Sequence, residues 1–220
     1  MSAILFGSIS TLVDSSELQR RAFNESFEAH GLDWQWSQPD YAAMLDSNGG
    51  AQRIADYAEA RGDAVDADAV HATKSQIFQE LLATSGLKAR PGVIATVNEA
   101  KRRDVKLGFV TTTSQENISA LLEALSPDID VDTFDVIVDR DSVATPKPDA
   151  AAYVFALEEL GENADTAVAI EDNVGGVAAA SAAGVRCIAF PNENTADGDF
   201  AAAADTVDSL NAEQLVGLLA

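Results

Sequence analysis

The placement of the strand-like runs constrains this chain most. One short apolar run, Ala3-Ile4-Leu5-Phe6, stands near the N-terminus, and nothing between residues 15 and 88 reads as a strand. That block instead carries helical spacing: apolar residues at 18, 22, 23 and 27, a Ser37-x-x-Asp40 capping pattern, then "GGAQRIADYAEARG" and "DADAVHATKSQIFQELLATSG". From "ARPGVIATVNEAKRRD" onward, helices alternate with the strand-like runs "VKLGFV", "FDVIV", "TAVAI" and "VRCIAF", and "DTVDSL" makes a short last one. Alternating strands and helices predict an α/β fold, a Rossmann-like parallel sheet with helices on both faces. The simplest assembly joins residues 1–14 and 89–220 into one core domain and leaves 15–88 as an inserted cap of four helices.

Composition narrows the partners. Lys plus Arg number 14 and Asp plus Glu number 36 in 220 residues, a net charge of −22. Such a surface repels phosphate backbones and anionic lipid, so neither nucleic acid nor membrane is expected as a partner. The single cysteine, Cys187, lies in the apolar run "RCIAF" and reads as a small core residue. The N-terminus lacks a basic segment followed by a long apolar run, and no apolar stretch approaches the length of a membrane span, so the cytoplasm and a monomer are the expectations.

Ligands of open parallel sheets bind beyond the C-terminal strand ends. Four groups fall there: the loop Gly7-Ser8-Ile9-Ser10, the run Thr111-Thr112-Thr113-Ser114, Lys147, and the pair Glu171-Asp172. Each has a structural alternative. Threonines after a strand suit a strand end and a helix N-cap. A Lys-Pro pair suits a solvated lysine before a helix. Two acids after "AVAI" either face a strand-end pocket or cap a helix.

Taken in order, these groups resemble the haloacid dehalogenase (HAD) superfamily, specifically its β-phosphoglucomutase-like phosphatases and mutases with a helical cap. "GFVTTTSQENISALL" resembles the second motif of that family, "PKPDAAAYVFAL" the third and "AIEDNVGGVAAASAAGVRCI" the fourth. The resemblance implies Thr111 as a phosphate-binding hydroxyl, with Thr112 and Ser8 beside it. It implies Lys147 as the phosphate-binding lysine, and Asp172 with Glu171 as magnesium ligands.

The first motif departs from the family run Phe-Asp-x-Asp-Gly-Thr-Leu. With the frame fixed by Phe6 and by Thr11-Leu12-Val13-Asp14, Gly7 stands at the nucleophile position and Ile9 at the acid/base position. Glycine cannot attack phosphorus, and isoleucine cannot exchange a proton. Gln19 stands where the family often has histidine, and Ala51 follows Gly49-Gly50 where it often has lysine. The cap is thus expected to have lost an imidazole and an ammonium.

On this basis the chain is expected to be a pseudoenzyme, a non-catalytic binder of a small anionic or phosphorylated ligand or of a protein partner. No cofactor is expected beyond a weakly held Mg²⁺ on Asp172. Lys147 is expected within salt-bridge reach of Asp172 or Glu171, and pairing with Asp172 would make even that metal unnecessary. Ser8 and Ser10 show no evident general base. The alternatives are a low-activity phosphatase or phosphomutase on a small phosphorylated metabolite, and an interaction protein that has kept the fold alone. Trp34, Trp36 and Tyr41 either line a pocket mouth or pack the cap. His30 is read at a helix C-terminus and His71 on a polar helix face.

Overall fold

The computed structural model describes residues 2–45 and 49–219. Six strands form one sheet: β1 (Ala3–Phe6), β2 (Lys106–Val110), β3 (Val136–Val138), β4 (Ala167–Glu171), β5 (Arg186–Ala189) and β6 (Asp205–Thr206). Their order is β3-β2-β1-β4-β5-β6, and every neighbouring pair is parallel. The first strand of the sequence therefore lies at the centre. The strand order reverses beside it, which is where a parallel sheet opens a crevice.

Successive strand residues point to opposite faces, and the two faces differ in bulk. Ile4, Phe6, Leu107, Phe109, Val168, Ile170 and Ile188 pack on one face. Ala3, Leu5, Ala167, Ala169, Cys187 and Ala189 pack on the other. The bulky face is covered by α6 (Val93–Arg102), α7 (Gln115–Leu125) and α10 (Ala212–Gly217). The small-residue face receives α8 (Ala151–Leu160) and α9 (Val174–Ala182). In α9 the buried residues are Gly175, Gly176, Val177, Ala179 and Ala180, so its backbone comes close to the sheet.

Between β1 and α6 the only regular elements among the described residues are helices. They are α1 (Ile9–Leu12), α2 (Ser16–Ala29), α3 (Gln38–Ala43), α4 (Gly50–Arg61) and α5 (Ala67–Ser85). The short α1 falls inside the strand-end loop, where the residues carry no helical periodicity. The helical block has an aromatic core of its own, built on Phe23, Phe27, Trp34, Trp36 and Tyr41 with Ile54. The two chain crossings of this block run side by side. Val13 bridges Ala89, and Arg90 N donates to Leu12 O at 2.8 Å. Arg90 also spans Ser10 O, Phe190 O and Pro191 O, tying both crossings to the sheet. No helix among the described residues is long and apolar enough to cross a membrane.

Candidate active site

A cavity of about 470 Å³ lies between the C-terminal strand ends and the helical block. Its core wall includes Ser8, Ile9, Thr111, Thr112, Asp172 and Asn173; its cap wall includes Gln19, Arg53, His71 and Lys74.

Gly7, directly after β1, does not reach this cavity, and its emptiness has a structural use. A Cβ built there would lie 2.2 Å from Glu171 Cδ and 2.6 Å from Tyr153 Oη. A Cβ on Gly176 would also lie 2.2 Å from Glu171 Cδ. The Glu171 side chain thus fills the space that these two glycines leave. It is fully buried, and its Oε1 accepts from Lys147 Nζ at 2.6 Å and from Tyr153 Oη at 2.7 Å. Burial pushes the Glu171 carboxyl up from the usual range, and the Lys147 ammonium pulls it back. Lys147 also donates to Gly7 O at 2.6 Å and to Val110 O at 2.7 Å, pinning the ends of β1 and β2.

Lys147 pairs with Glu171, one of the two acids expected within its reach. The expected roles of both residues on the cavity wall are revised: Lys147 is buried behind the strand ends, and Glu171 faces the interior. Thr111 and Thr112 are on the wall, and Thr111 Oγ1 accepts from Thr113 N at 3.2 Å.

Ser8 is on the wall as well, and it does have a base. Its Oγ donates to Asp172 Oδ1 at 2.7 Å. Asp172 is held by Asn173 Nδ2 on Oδ1 and Asn192 Nδ2 on Oδ2, each at 2.9 Å. Ser10 Oγ instead meets Ser15 Oγ at 3.0 Å.

The donor set fits a resident Mg²⁺ poorly. Mg²⁺ asks for octahedral oxygen ligation through one or two carboxylates plus phosphate. Glu171 is committed to Lys147 and Tyr153, which leaves Asp172 as the carboxylate on the core wall. Among the described residues no group of three or more His, Cys, Asp or Glu side chains is arranged to hold a metal.

The cap wall holds what the sequence reading missed. Lys74 is buried, its ammonium 4.8 Å from the ring centroids of both Phe23 and Phe78, and it donates to Gln19 Oε1. Burial, with Arg53 nearby, pushes Lys74 down to about 7. His71 lines the cavity against Gly50, where a Cβ would lie 2.5 Å from Nε2, and is not on a solvated face. Burial first, then Lys74, pushes it down to about 4, so the imidazole is neutral near pH 7. An ammonium and an imidazole are therefore present on α5 although Gln19 and Ala51 carry neither. A signal existed for Lys74. It lies on one helical row with Val70, Phe78 and Leu82, all buried, and a lysine in such a row is aimed inward. Asn192, in the loop after β5, gave none. Tyr41 is buried on the cavity wall with its hydroxyl pushed up to about 12 by burial, whereas Trp34 and Trp36 belong to the cap core. His30 bonds Thr73 Oγ1 at 2.8 Å away from the cavity.

The chain belongs to the haloacid dehalogenase-like hydrolases, whose family pattern matches residues 1–184. It is 41% identical to "Protein CbbY" of Cereibacter sphaeroides across 94% of this chain and 91% of that one. The crystal structure of CbbY from Rhodobacter sphaeroides in complex with phosphate superposes with a TM-score of 0.89 at 39% identity, covering 95% of this chain and 94% of that one. A mutant CbbY in complex with xylulose-(1,5)bisphosphate gives the same TM-score, identity and coverage. These matches overturn the expectation of a pseudoenzyme. A chain this similar to CbbY proteins over 94% of its length belongs with the hydrolases of that family.

Proposed function

We propose that this chain hydrolyses a phosphate ester of a small phosphorylated sugar, and that a bisphosphate such as the ligand of the CbbY complex is the first substrate to test. The observation that carries this reading is the polarity of the cavity. Hydroxyl donors of Ser8, Thr111 and Thr112 line one wall, and the cations Arg53 and Lys74 stand on the other. A phosphoryl group at the strand ends would take hydrogen bonds from the Thr111 and Thr112 hydroxyls. A second anion would take its countercharge from the cap wall, where low dielectric strengthens the attraction.

In this reading the reaction proceeds without an aspartate at positions 7 and 9. Lys147 and Glu171 shape the strand-end loops from behind, and Ser8, Thr111, Thr112 and Asp172 meet the phosphoryl group. Substrate binding between two walls also excludes water from the reacting centre.

The test is phosphate release from xylulose 1,5-bisphosphate and from sugar monophosphates by the full chain. Turnover faster than the uncatalysed reaction by about 10⁶-fold or more supports the reading. Lys74→Met should raise KM for the bisphosphate more than for a monophosphate. Absence of release from every phosphorylated sugar tried would overturn the reading.

A further inference from the structure

We propose that Ser8 is the nucleophile of this site and that Asp172 takes its proton. This inference rests on the hydrolase reading and deepens it. Ser8 follows Gly7 at the end of the central strand, is half-buried, and opens onto the cavity. Its hydroxyl donates to Asp172 Oδ1 at 2.7 Å. That carboxylate is oriented by Asn173 on the same oxygen and Asn192 on the other, and its main chain is held where Thr195 Oγ1 donates to Asp172 O at 2.6 Å. A hydroxyl bonded to a base that is itself oriented by further groups is the arrangement that activates a nucleophile.

The other oxygens near the strand ends are placed differently. Glu171 is fully buried and committed to Lys147 and Tyr153. Ser10 bonds to another serine, and Thr111 Oγ1 accepts from the Thr113 backbone.

In the first step a bond forms between Ser8 Oγ and phosphorus as the bond from phosphorus to the sugar oxygen breaks. The Ser8 proton passes to Asp172 Oδ1. The departing sugar oxygen takes the proton of the phosphate monoanion, a form that is present because the second phosphate pKa is about 6. Asp172 then releases its proton to solvent. In the second step water attacks the phosphoserine, and its oxygen ends on inorganic phosphate. One water proton returns through Asp172 to Ser8 Oγ, and the other stays on phosphate.

The experiment treats the full chain with acetyl phosphate and with p-nitrophenyl phosphate, quenches in acid, and maps the modification by peptide mass. The expected result is one phosphoryl group on Ser8, resistant to hydroxylamine, which cleaves acyl phosphates. Asp172→Asn should slow its appearance by about 10²–10⁴-fold. Ser8→Ala should lose both labelling and sugar-phosphate turnover. Label on Ser8 without sugar-phosphate turnover upholds the nucleophile and overturns the hydrolase reading. Turnover with Ser8→Ala at the native rate, or with the label on another residue, overturns the nucleophile and leaves the hydrolase reading standing. No label and no turnover overturn both. Because the label is located in the unmodified chain, the result does not depend on how well the variant folds.

Discussion

The two sides of the cavity manage charge in opposite ways. Behind the core wall, charges are matched: Lys147 meets Glu171 at 2.6 Å, and both are buried. Asp172 is satisfied by neutral donors, Ser8, Asn173 and Asn192. On the cap wall, cations are lodged among aromatic rings. Lys74 lies against Phe23 and Phe78, and Arg53 against Phe23 and Tyr41. In the proposed reading the core side supplies shape and hydrogen bonds, and the cap side supplies attraction for an anion. A site can keep its cationic character while its strand-end lysine is withdrawn into the fold, because the countercharge comes from a neighbouring element.

That contrast breaks most visibly on the core side. Lys147→Ala leaves Glu171 buried without its cation, and removing one partner of a buried ion pair costs about 3–5 kcal/mol. Urea denaturation should show an unfolding free energy lower by that amount. Replacing both residues with apolar ones of similar volume should restore much of the loss.

A smaller effect is expected at Gly7. A methyl group there meets the Glu171 carboxyl and the Tyr153 hydroxyl well inside contact distance. Gly7→Ala should therefore destabilise the fold by about 1–3 kcal/mol through overpacking. Glu171→Ala placed beside it should relieve much of that overpacking, and thermal unfolding of the single and double variants measures the coupling. The same crowding predicts that Gly7→Asp alone gives a strained protein.

The smallest effect sharpens the cap side. Lys74 titrates at about 7 in the folded protein, while a lysine in the unfolded chain titrates near 10.4. Between those values the unfolded chain binds more protons, so folding stability from this group rises with pH through that window. Affinity for an anion that needs the ammonium runs the other way and falls as pH rises above about 7. Calorimetric titration of inorganic phosphate from about pH 6 to about pH 9 should show that decline, of up to about tenfold per pH unit, and Lys74→Met should flatten it.

Much of the fold was legible in the residues themselves. The AILF run, the strand-free stretch after it and the later alternation of strands and helices carry the parallel sheet, because side-chain period and helix spacing are local properties. The ordered strand-end groups likewise located Thr111, Thr112, Ser8 and Asp172 near one crevice, since strand ends of a parallel sheet share an edge. The short helix at Ile9–Leu12 was not legible, because four residues are too few to show a period.

The functional consequence of Gly7 and Ile9 was not determined by the sequence either. Counting absent carboxylates predicted an inert site, and the full-length similarity to CbbY proteins corrected that. The pairing of Ser8 with Asp172 joins residues 164 positions apart, and that of Lys74 with Gln19 joins residues 55 apart. The sequence by itself determined which groups were available and which strands would present them. Only the tertiary structure decided which faced the cavity and which faced one another. Side-chain direction near a strand end depends on what fills the neighbouring volume, and at Gly7 that volume is filled by a glutamate arriving from another strand.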